Sequence, residues 1–289
     1  MYAITGITGK VGGALARRLL AAGQPVRAVL RDAGKGAAWT ALGCEIAVAE
    51  MGDAAALTAA FTGATAVFIL PPSEFDPEPG YPEAQAVIDS VVTALAAARP
   101  AKILCLSTIG ADAVQDNLLS QRTMMEAALR ELPIPLTILR PAWFIDNAAW
   151  DVASARETGL IHSFLLPVDK AFPMVAATDV GRTAADLIQQ DWTGLRIVEL
   201  EGPRRVTPAD LAAAFADALG HQVRAVAMPR ESWETLFRSQ GMRNPGPRIR
   251  MLDGFNQGWI AFPDGGRRAI KGPTDAAAVI AALVAGAEA

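Results

Sequence analysis

Three glycines near the amino terminus recur at every third position, and they are the residues best placed for chemistry. Residues 5–12, TGITGKVG, follow the apolar run Tyr2–Ile4 and open a helical stretch. Gly6 allows a tight turn, Gly9 lets backbone N–H groups approach a pyrophosphate at the positive end of the helix, and Gly12 permits close helix–strand packing. The pattern predicts a dinucleotide site that includes Gly6, Thr8, Gly9, Lys10, Val11 and Gly12.

Basic residues follow the second predicted strand, where the type of dinucleotide is decided. Arg31 comes directly after Val29-Leu30, and Lys35 lies four residues further on. A guanidinium can hold a 2′-phosphate with two parallel hydrogen bonds, and Lys35 would add a second positive charge. Asp32 lies about twenty residues past the glycines, where a carboxylate would accept a ribose 2′-hydroxyl bond. We expect NADP(H), with NAD(H) as the less favoured cofactor.

Two more segments end strands on the same predicted edge of the sheet. Asp53 follows the third strand, and it either caps the next helix or faces the adenine. Leu70 and Pro71 end the fourth strand at the rim where ligands lie in open α/β sheets. Pro71 and Pro72 provide no backbone donors and stiffen the loop there. Asp53, Leu70 and Pro71 are therefore candidate cofactor residues.

Short apolar runs alternate with Ala- and Leu-rich helical stretches along the amino-terminal half. The predicted strands are 2–4, 26–30, 45–48, 66–70, 102–107 and 136–139, and the helices are 11–22, 35–42, 54–61, 81–98 and 118–131. This alternation predicts the α/β class, a Rossmann-type doubly wound parallel sheet. Residues 1–150 form the predicted NAD(P)-binding domain, with sheet contributions from about 175–205, and residues 151–289 form a smaller α+β substrate region.

After Pro141 the alternation loosens. Helices are predicted over 148–157, 177–190, 208–220, 231–239 and 275–285, and strands over 196–200 and 223–227. Residues 241–273 are rich in Gly, Pro and Arg and are predicted to be irregular. We expect residues 241–265 to close a pocket, and Phe255, Trp259 and Phe262 are the aromatic residues of this stretch.

Composition excludes several classes of protein. Hydrophobic residues make up 52% of the 289, which excludes disorder, and the net charge of −4 disfavours nucleic-acid binding. There is no apolar run of the roughly 18 residues that a membrane span needs. The two cysteines, Cys44 and Cys105, and two histidines form no metal or disulfide pattern. We expect a cytoplasmic monomer or homodimer that binds a small molecule and no metal.

These motifs together resemble the atypical short-chain dehydrogenase/reductase superfamily, and within it the NmrA-like group that includes NAD(P)H:quinone oxidoreductases. The matching positions are residues 5–12, Arg31, Ser107-Thr108-Ile109-Gly110-Ala111, Glu126, the run 136–141, Asn147, residues 177–181 and residues 201–203. The resemblance reaches about residue 220. It implies the Rossmann fold and a nicotinamide cofactor but barely limits the substrate.

The resemblance also shows a departure in the catalytic residues. Typical members carry Tyr-x-x-x-Lys on the helix after strand five, and the matching positions here are Leu118 and Arg122. Leu118 cannot transfer a proton. Arg122 keeps the positive charge and either holds the nicotinamide ribose or a substrate oxygen, or lies on a solvated helix surface. Ser107 and Thr108 either reach the nicotinamide or substrate, or cap their loop. Arg122 and Ser107 are the catalytic candidates.

The resemblance places the segment Pro141–Phe144 beside the nicotinamide. Pro141 and Trp143 are therefore candidate cofactor contacts, while Phe144 and Asn147 are candidate substrate-pocket residues. As an alternative, Trp143 and Phe144 are plain core aromatics.

Three functions follow from these expectations. The first is an NADPH-dependent oxidoreductase that transfers hydride to a quinone-like or other electron-poor small molecule, which needs no protein acid. The second is a non-catalytic NADP(H)-binding redox sensor that acts on a regulatory protein partner. The third is a reductase whose acid comes from the carboxyl-terminal part, with His162 or Asp146 as candidates.

Overall fold

The computed structural model describes residues 1–286, in which strands and helices alternate. The strands are β1 (Tyr2–Thr5), β2 (Val26–Leu30), β3 (Glu45–Val48), β4 (Ala66–Ile69), β5 (Lys102–Leu106), β6 (Leu136–Pro141), β7 (Trp143–Phe144), β8 (Leu160–Ser163), β9 (Met174–Val175), β10 (Leu195–Glu201), β11 (Arg224–Ala227) and β12 (Ile270–Lys271). The helices are α1 (Lys10–Ala21), α2 (Ala37–Ala41), α3 (Ala54–Phe61), α4 (Pro82–Ala98), α5 (Ser120–Arg130), α6 (Val152–Thr158), α7 (Ala177–Gln189), α8 (Pro208–Leu219), α9 (Trp233–Ser239), α10 (Gly246–Gln257) and α11 (Ala276–Val284). Short 3₁₀ turns cover Ala33–Lys35, Ile145–Asp151 and Arg230–Ser232. Residues 287–289, at the end of the predicted substrate region, lie outside the described residues.

Eight strands form one parallel sheet in the order β12-β10-β6-β5-β4-β1-β2-β3. Ile4 of β1 lies opposite Ala28 of β2 on one side and Phe68 of β4 on the other. The chain therefore winds outward from β1 in both directions, and the order reverses between β1 and β4. This confirms the predicted α/β class with a Rossmann-type doubly wound sheet.

Apolar side chains of the strands alternate between two cores, one on each face of the sheet. Ala3 and Val67 belong to the core beneath α3, α4 and α5, while Ile4 and Phe68 belong to the core that includes α1 and α7. Because successive strand residues point to opposite faces, a strand covered on both sides must be apolar throughout. No helix within residues 1–286 is both long and apolar enough to cross a bilayer.

Two glycines allow unusually close backbone contacts around α1. A Cβ at Gly12 would lie 2.4 Å from the carbonyl oxygen of Gly6, and one at Gly181 on α7 would lie 2.3 Å from that of Val11. Gly12 therefore lets α1 start directly above its own glycine loop, and Gly181 lets α7 cross α1 with the two backbones in contact.

Two small parallel pairs lie outside the main sheet. β7 pairs with β9 and β8 pairs with β11. The strands β7, β8 and β9 were not expected from the sequence. β7 and β9 have two residues each, too few for a pattern, and β8 reads Leu-Ile-His-Ser, which is not a continuous apolar run. The segments after β6 are thus held by pairing with residues distant in the chain.

The prediction that residues 241–273 are irregular is wrong for residues 246–257 and 270–271, and it holds for the rest of that stretch. The helix α10 occupies Gly246–Gln257, and Ile270–Lys271 adds β12 to the edge of the main sheet. Pro247 lies in the first turn of α10, where its missing N–H costs nothing, and Gly258 ends the helix with a positive φ of 88°. The prolines and glycines that suggested a loop are therefore the helix's start and stop signals.

Candidate active site

The glycine loop joins β1 to α1 in the form an anion site requires. Gly6 has a positive φ of 64°, and its carbonyl accepts a 3.0 Å hydrogen bond from the Gly9 N–H. Gly9 precedes α1, and none of the described side chains caps this end. Thr8 and Gly9 are exposed. The first N–H groups of α1 thus have no acceptor among residues 1–286, at the positive end of the helix dipole.

Lys10 connects this loop to two distant segments. Its Nζ donates to Asp146 Oδ1 at 2.9 Å, and Asp146 Oδ2 accepts the Ala177 N–H at 2.7 Å. The carboxylate of Asp146 therefore bridges the start of α1, the 3₁₀ turn after β7 and the start of α7. With both oxygens engaged, Asp146 holds the loop in position, and a contact of Lys10 with a dinucleotide stays a prediction.

The end of β2 presents positive charge to solvent. Arg31 and Lys35 are exposed, while Asp32 Oδ1 accepts the Gly34 N–H at 2.9 Å and so caps the 3₁₀ turn. The carboxylate that would favour a ribose 2′-hydroxyl is thus already bound to its own backbone. Similarly, Asp53 Oδ1 accepts the Ala56 N–H at 2.9 Å and caps α3, so the capping alternative occurs in the structure.

A cavity of about 610 Å³ lies over the carboxyl ends of β4, β5 and β6. Its floor comes from Leu70 and Pro71 after β4, Ser107 and Thr108 after β5, and Pro141 at the end of β6. Val11, in the first turn of α1, also lines the cavity and joins it to the glycine loop. A volume between roughly 300 and 1,000 Å³ is typical of ligand sites, and this edge of the sheet is where open α/β folds bind them.

Aromatic and aliphatic side chains form the wall opposite that floor. Trp143 and Phe144 of β7 line the cavity, and the rings of Trp143 and Phe255 lie nearly perpendicular to each other at a centroid distance of 5.2 Å. The helix α10 presents one face to the cavity with the side chains of Arg248, Met251, Leu252 and Phe255. Phe75 and Trp150 also line it and are 51% and 70% exposed, so they mark its mouth.

Arg122 holds the loop after β4 in the cavity wall. Its guanidinium donates to the carbonyls of Pro71 at 2.9 Å and Pro72 at 3.0 Å, and to Ser73 Oγ at 2.6 Å. Burial lowers the pKa of Arg122 to about 10, so it stays charged at neutral pH. Arg122 does line the cavity. Its guanidinium is nevertheless used to fix the loop.

Ser107 belongs to a buried polar network at the end of β5. Its hydroxyl donates to Glu126 Oε1 at 2.5 Å, and Arg140 donates to both oxygens of Glu126 at 2.9 and 2.7 Å. Burial alone would lower the pKa of Arg140, but its hydrogen bonds and charge pairing with Glu126 and Asp112 raise it. The negative charge of Glu126 is therefore neutralised, and Ser107 is held with its proton directed away from the cavity.

Leu118 lines the cavity, so the position that matches a catalytic tyrosine faces the site with an apolar side chain. Tyr81 is distant in sequence but lies close to this segment. Its hydroxyl donates to Asp116 Oδ1 at 2.7 Å and to the Asn117 carbonyl at 2.9 Å. Burial and the charge of Asp116 raise the pKa of Tyr81 well above its usual value. Tyr81 stabilises the segment before Leu118 and is not among the residues that line the cavity.

Besides Ser163 and Arg248, three polar residues of the carboxyl-terminal half line the cavity. Asn147 and Asp151 lie four residues apart around the Ile145–Asp151 turn, and His162 lies on β8. Burial raises the pKa of Asp151 to about 6, and its carboxylate has no hydrogen-bond donor among residues 1–286. Asp151 was not expected from the sequence, since nothing in its local pattern distinguishes it from a helix-surface acid.

The cavity brings together many of the predicted site residues: Val11, Leu70, Pro71, Ser107, Thr108, Arg122, Pro141, Trp143, Phe144 and Asn147. The others lie outside its lining: Gly6, Thr8, Gly9, Lys10, Gly12, Arg31, Lys35 and Asp53. Sequence reasoning missed most of α10, although Arg248, Met251, Leu252 and Phe255 have the i, i+3, i+4, i+7 spacing of a helix face. That spacing could have identified the wall. Of the three aromatic residues expected from the 241–265 stretch, Phe255 lines the cavity, Phe262 is buried in the core and Trp259 lies outside the lining.

Comparison with known proteins identifies similar chains. An NAD(P)H azoreductase of Xenophilus azovorans is 25% identical over 245 residues, 84% of this chain and 82% of that protein. Quinone oxidoreductase 2 of Escherichia coli (strain K12) is 26% identical over 244 residues, again 84% and 82%. The crystal structure of an NADPH-dependent quinone oxidoreductase from E. coli, complexed with NADPH, superposes with a TM-score of 0.79 at 23% identity, over 98% of this chain and 99% of that one.

Residues 6–191 match a family described as NAD(P)H-binding. The match begins at the first glycine of the loop and covers well over half of the chain, including β2 to β6, α1 and α7. It agrees with the predicted resemblance and with the nicotinamide cofactor class. The chain belongs to the NAD(P)H-binding family.

Proposed function

We propose that this protein is an NADPH-dependent oxidoreductase that reduces a quinone-like or other electron-poor aromatic molecule. The observation that carries the proposal is the apolar cavity of about 610 Å³, which meets the glycine loop at Val11 and has aromatic residues on its wall and rim. The azoreductase and quinone oxidoreductase activities named for two relatives support the same class of acceptor.

The residues present fit a dinucleotide phosphate. The uncapped start of α1 offers N–H groups to a pyrophosphate, and Arg31 and Lys35 offer exposed positive charge for a 2′-phosphate. Because Asp32 is engaged with the Gly34 N–H, it competes little for a ribose hydroxyl. These observations favour NADPH over NADH.

When bound, NADPH supplies a hydride, and the chain's own residues orient the acceptor. Pro71 and Thr108 provide a rigid floor, and Trp143 and Phe255 provide flat surfaces that a planar molecule can stack against. Leu118 offers no proton. An acceptor whose reduced anion is resonance-stabilised needs none from the protein, because water can enter at the rim formed by Phe75 and Trp150.

Ser107 and Arg122 then act as positioning residues. Arg122 keeps the loop 71–73 against the cavity, and Ser107 anchors the end of β5 to Glu126. We further assign the cofactor to residues 1–150 and most of the acceptor wall to the region that begins at residue 151, since β8, α8 and α10 line the cavity from that part of the chain, while Trp143 and Phe144 add to the wall from the first part.

A non-catalytic redox sensor is the alternative, and Leu118 is the observation that favours it. The test is NADPH oxidation, followed by the loss of nicotinamide absorbance with quinones and azo dyes, while NADPH binding is measured in parallel. Reduction that is faster with NADPH than with NADH supports the proposal. Tight NADPH binding without turnover of any acceptor would refute it in favour of the sensor.

Two leucine variants separate cofactor-dependent turnover from general damage. Gly9→Leu places a side chain over the exposed loop and is expected to abolish both NADPH binding and turnover. Ala97→Leu is the control, because Ala97 is exposed in the last turn of α4, at the edge of the sheet opposite the glycine loop. Turnover that survives Gly9→Leu would mean that the glycine loop is not the cofactor site.

A further inference from the structure

The arginines around α10 are almost all paired with acidic residues. Arg243 Nε lies 3.4 Å from Asp76 Oδ2, Arg250 lies 2.5 Å from Asp116 Oδ2, and Arg238 lies 2.9 Å from Glu234 Oε1. These pairs lie on the surface; the Arg243 and Arg250 pairs connect α10 and the segment before it to Asp76 and Asp116, while the Arg238 pair lies within α9. The three paired arginines are most of the basic residues in and around α10.

Arg248 is different. It is half-buried and lines the cavity, and no carboxylate or carbonyl among residues 1–286 accepts a hydrogen bond from its guanidinium. The guanidinium carbon lies 4.4 Å from the centre of the Phe237 ring, which restrains the position of the group. Burial lowers the pKa of Arg248, as expected of a charge that has no counter-ion among the described residues.

The position of Arg248 along α10 gives the distance to the aromatic wall. Phe255, seven residues further on, touches Trp143 of β7. Seven residues of helix rise about 10 Å, so Arg248 lies two turns away from that contact on the same face of α10. A planar molecule of two fused rings that stacks beside Trp143 can therefore direct a substituent toward Arg248.

The other charged groups in the cavity do not compete for this role. The guanidinium of Arg122 already donates hydrogen bonds to Pro71, Pro72 and Ser73. Asp151 is negative above its pKa and would repel an anion placed beside it. Arg248 is thus the guanidinium in the cavity lining whose N–H groups have no acceptor among residues 1–286, and Asn147 and His162 are neighbouring polar groups that could add a hydrogen bond to an anion held there.

We propose that Arg248 binds an anionic substituent of the acceptor, a carboxylate, sulfonate or phosphate, so that the preferred substrates are anionic planar aromatic molecules. The guanidinium offers two parallel N–H groups to two oxygens of such a group, and its contact with the Phe237 ring restrains its position. This inference rests on the proposed function, because it takes the cavity as the acceptor site.

The test compares two acceptors that differ by one group, 1,2-naphthoquinone and 1,2-naphthoquinone-4-sulfonate. In the wild type, the sulfonate is expected to have the lower KM. Arg248→Met is expected to raise the KM for the sulfonate roughly 10- to 100-fold, which is the usual effect of losing a charge-assisted pair of hydrogen bonds. The KM for the neutral quinone should change less than about threefold. Arg248→Lys keeps the positive charge without the two parallel N–H groups, so its KM for the sulfonate should lie between those of the wild type and Arg248→Met.

Arg250→Met is the matched control, since Arg250 lies on the same helix but is paired with Asp116 outside the cavity. It should leave the ratio of the two KM values unchanged, and NADPH affinity should be unchanged in all three variants. A loss for Arg248→Met that is equal for both quinones, or no loss, would overturn the proposal.

Binding of 2-naphthalenesulfonate in the presence of NADP⁺, measured by titration calorimetry, separates this inference from the proposed function. If the wild type reduces no quinone but binds the sulfonate more than about tenfold better than Arg248→Met does, the anion site stands and the oxidoreductase proposal fails. If quinones are reduced while sulfonate binding is the same in both proteins, the proposed function stands and the anion site is refuted.

Discussion

Replacing Asp151 by asparagine should make the protein more stable at neutral and alkaline pH. Asp151 lies in the cavity wall without a hydrogen-bond donor among the described residues, and burial raises its pKa from 3.8 to about 6. Each unit of pKa shift corresponds to about 1.4 kcal/mol, so holding this carboxylate charged costs at most about 3 kcal/mol. Because the side chain is partly solvated, we expect about 1–3 kcal/mol.

The pH dependence follows from the direction of the shift. Folding favours the protonated carboxyl, so its stabilising effect is complete below the unfolded pKa of about 3.9 and is lost as the pH rises through about 6. The amide that replaces the carboxyl in D151N does not titrate. The free energy of unfolding of D151N relative to wild type should therefore increase by about 1–3 kcal/mol from about pH 4 to pH 8.

Urea unfolding of both proteins at several pH values measures this difference, in which all other titrations cancel. Asp217→Asn removes an exposed carboxylate of α8 and controls for net charge. A relative stability of D151N that stays constant over this pH range would show that water solvates Asp151 as it does a surface residue, and the reasoning from burial would be refuted.

The same variant tests whether the protein needs an acid. If water protonates the reduced acceptor, D151N should keep kcat within about threefold of wild type. General acids contribute about 10²- to 10⁴-fold, so a loss of that size together with a flattened pH profile would make Asp151 the proton donor.

Three other predictions concern the cofactor, the packing of α1 and the buried network. Arg31→Ala should raise the KM for NADPH roughly 10- to 100-fold and leave that for NADH unchanged, as measured by cofactor oxidation; equal effects on both would contradict 2′-phosphate binding. Gly181→Ala should lower the free energy of unfolding by about 1–3 kcal/mol or more, because its Cβ would lie 2.3 Å from a carbonyl oxygen of α1, whereas Gly52→Ala should change it by less than about 0.5 kcal/mol. Glu126→Gln should cost about 3 kcal/mol, since it removes the buried one of the two carboxylates that pair with Arg140; an unchanged denaturation midpoint would show that exposed Asp112 is a sufficient partner.

The sequence predicts the features that depend on near neighbours in the chain. The glycine loop could be identified because its turn, its helix start and its close packing are all encoded within residues 5–12. The main sheet could be predicted because most of its strands are buried on both faces and therefore apolar along their length. Arg31 could be placed at the end of β2 because the apolar residues of that strand end directly before it.

Partners that lie far apart in the chain could not be predicted. Lys10 is held by Asp146, which is 136 residues away, and Arg122 bonds the carbonyl of Pro71, 51 residues before it. Nothing near Arg122 in the sequence indicates that carbonyl. The helix α10 was missed for a different reason, since its prolines and glycines suggest a loop although they mark the two ends of a helix.

The cavity draws its floor and its wall from different parts of the chain. The floor consists of strand ends that the eight-stranded sheet fixes in place, while α10 and β8 supply wall residues that are not part of that sheet. A substitution at Met251 or Leu252 therefore alters the shape that an acceptor meets without moving the glycine loop. Such a site can diverge quickly: a few wall substitutions can turn one reductase into another, while the machinery for the nicotinamide cofactor is inherited unchanged.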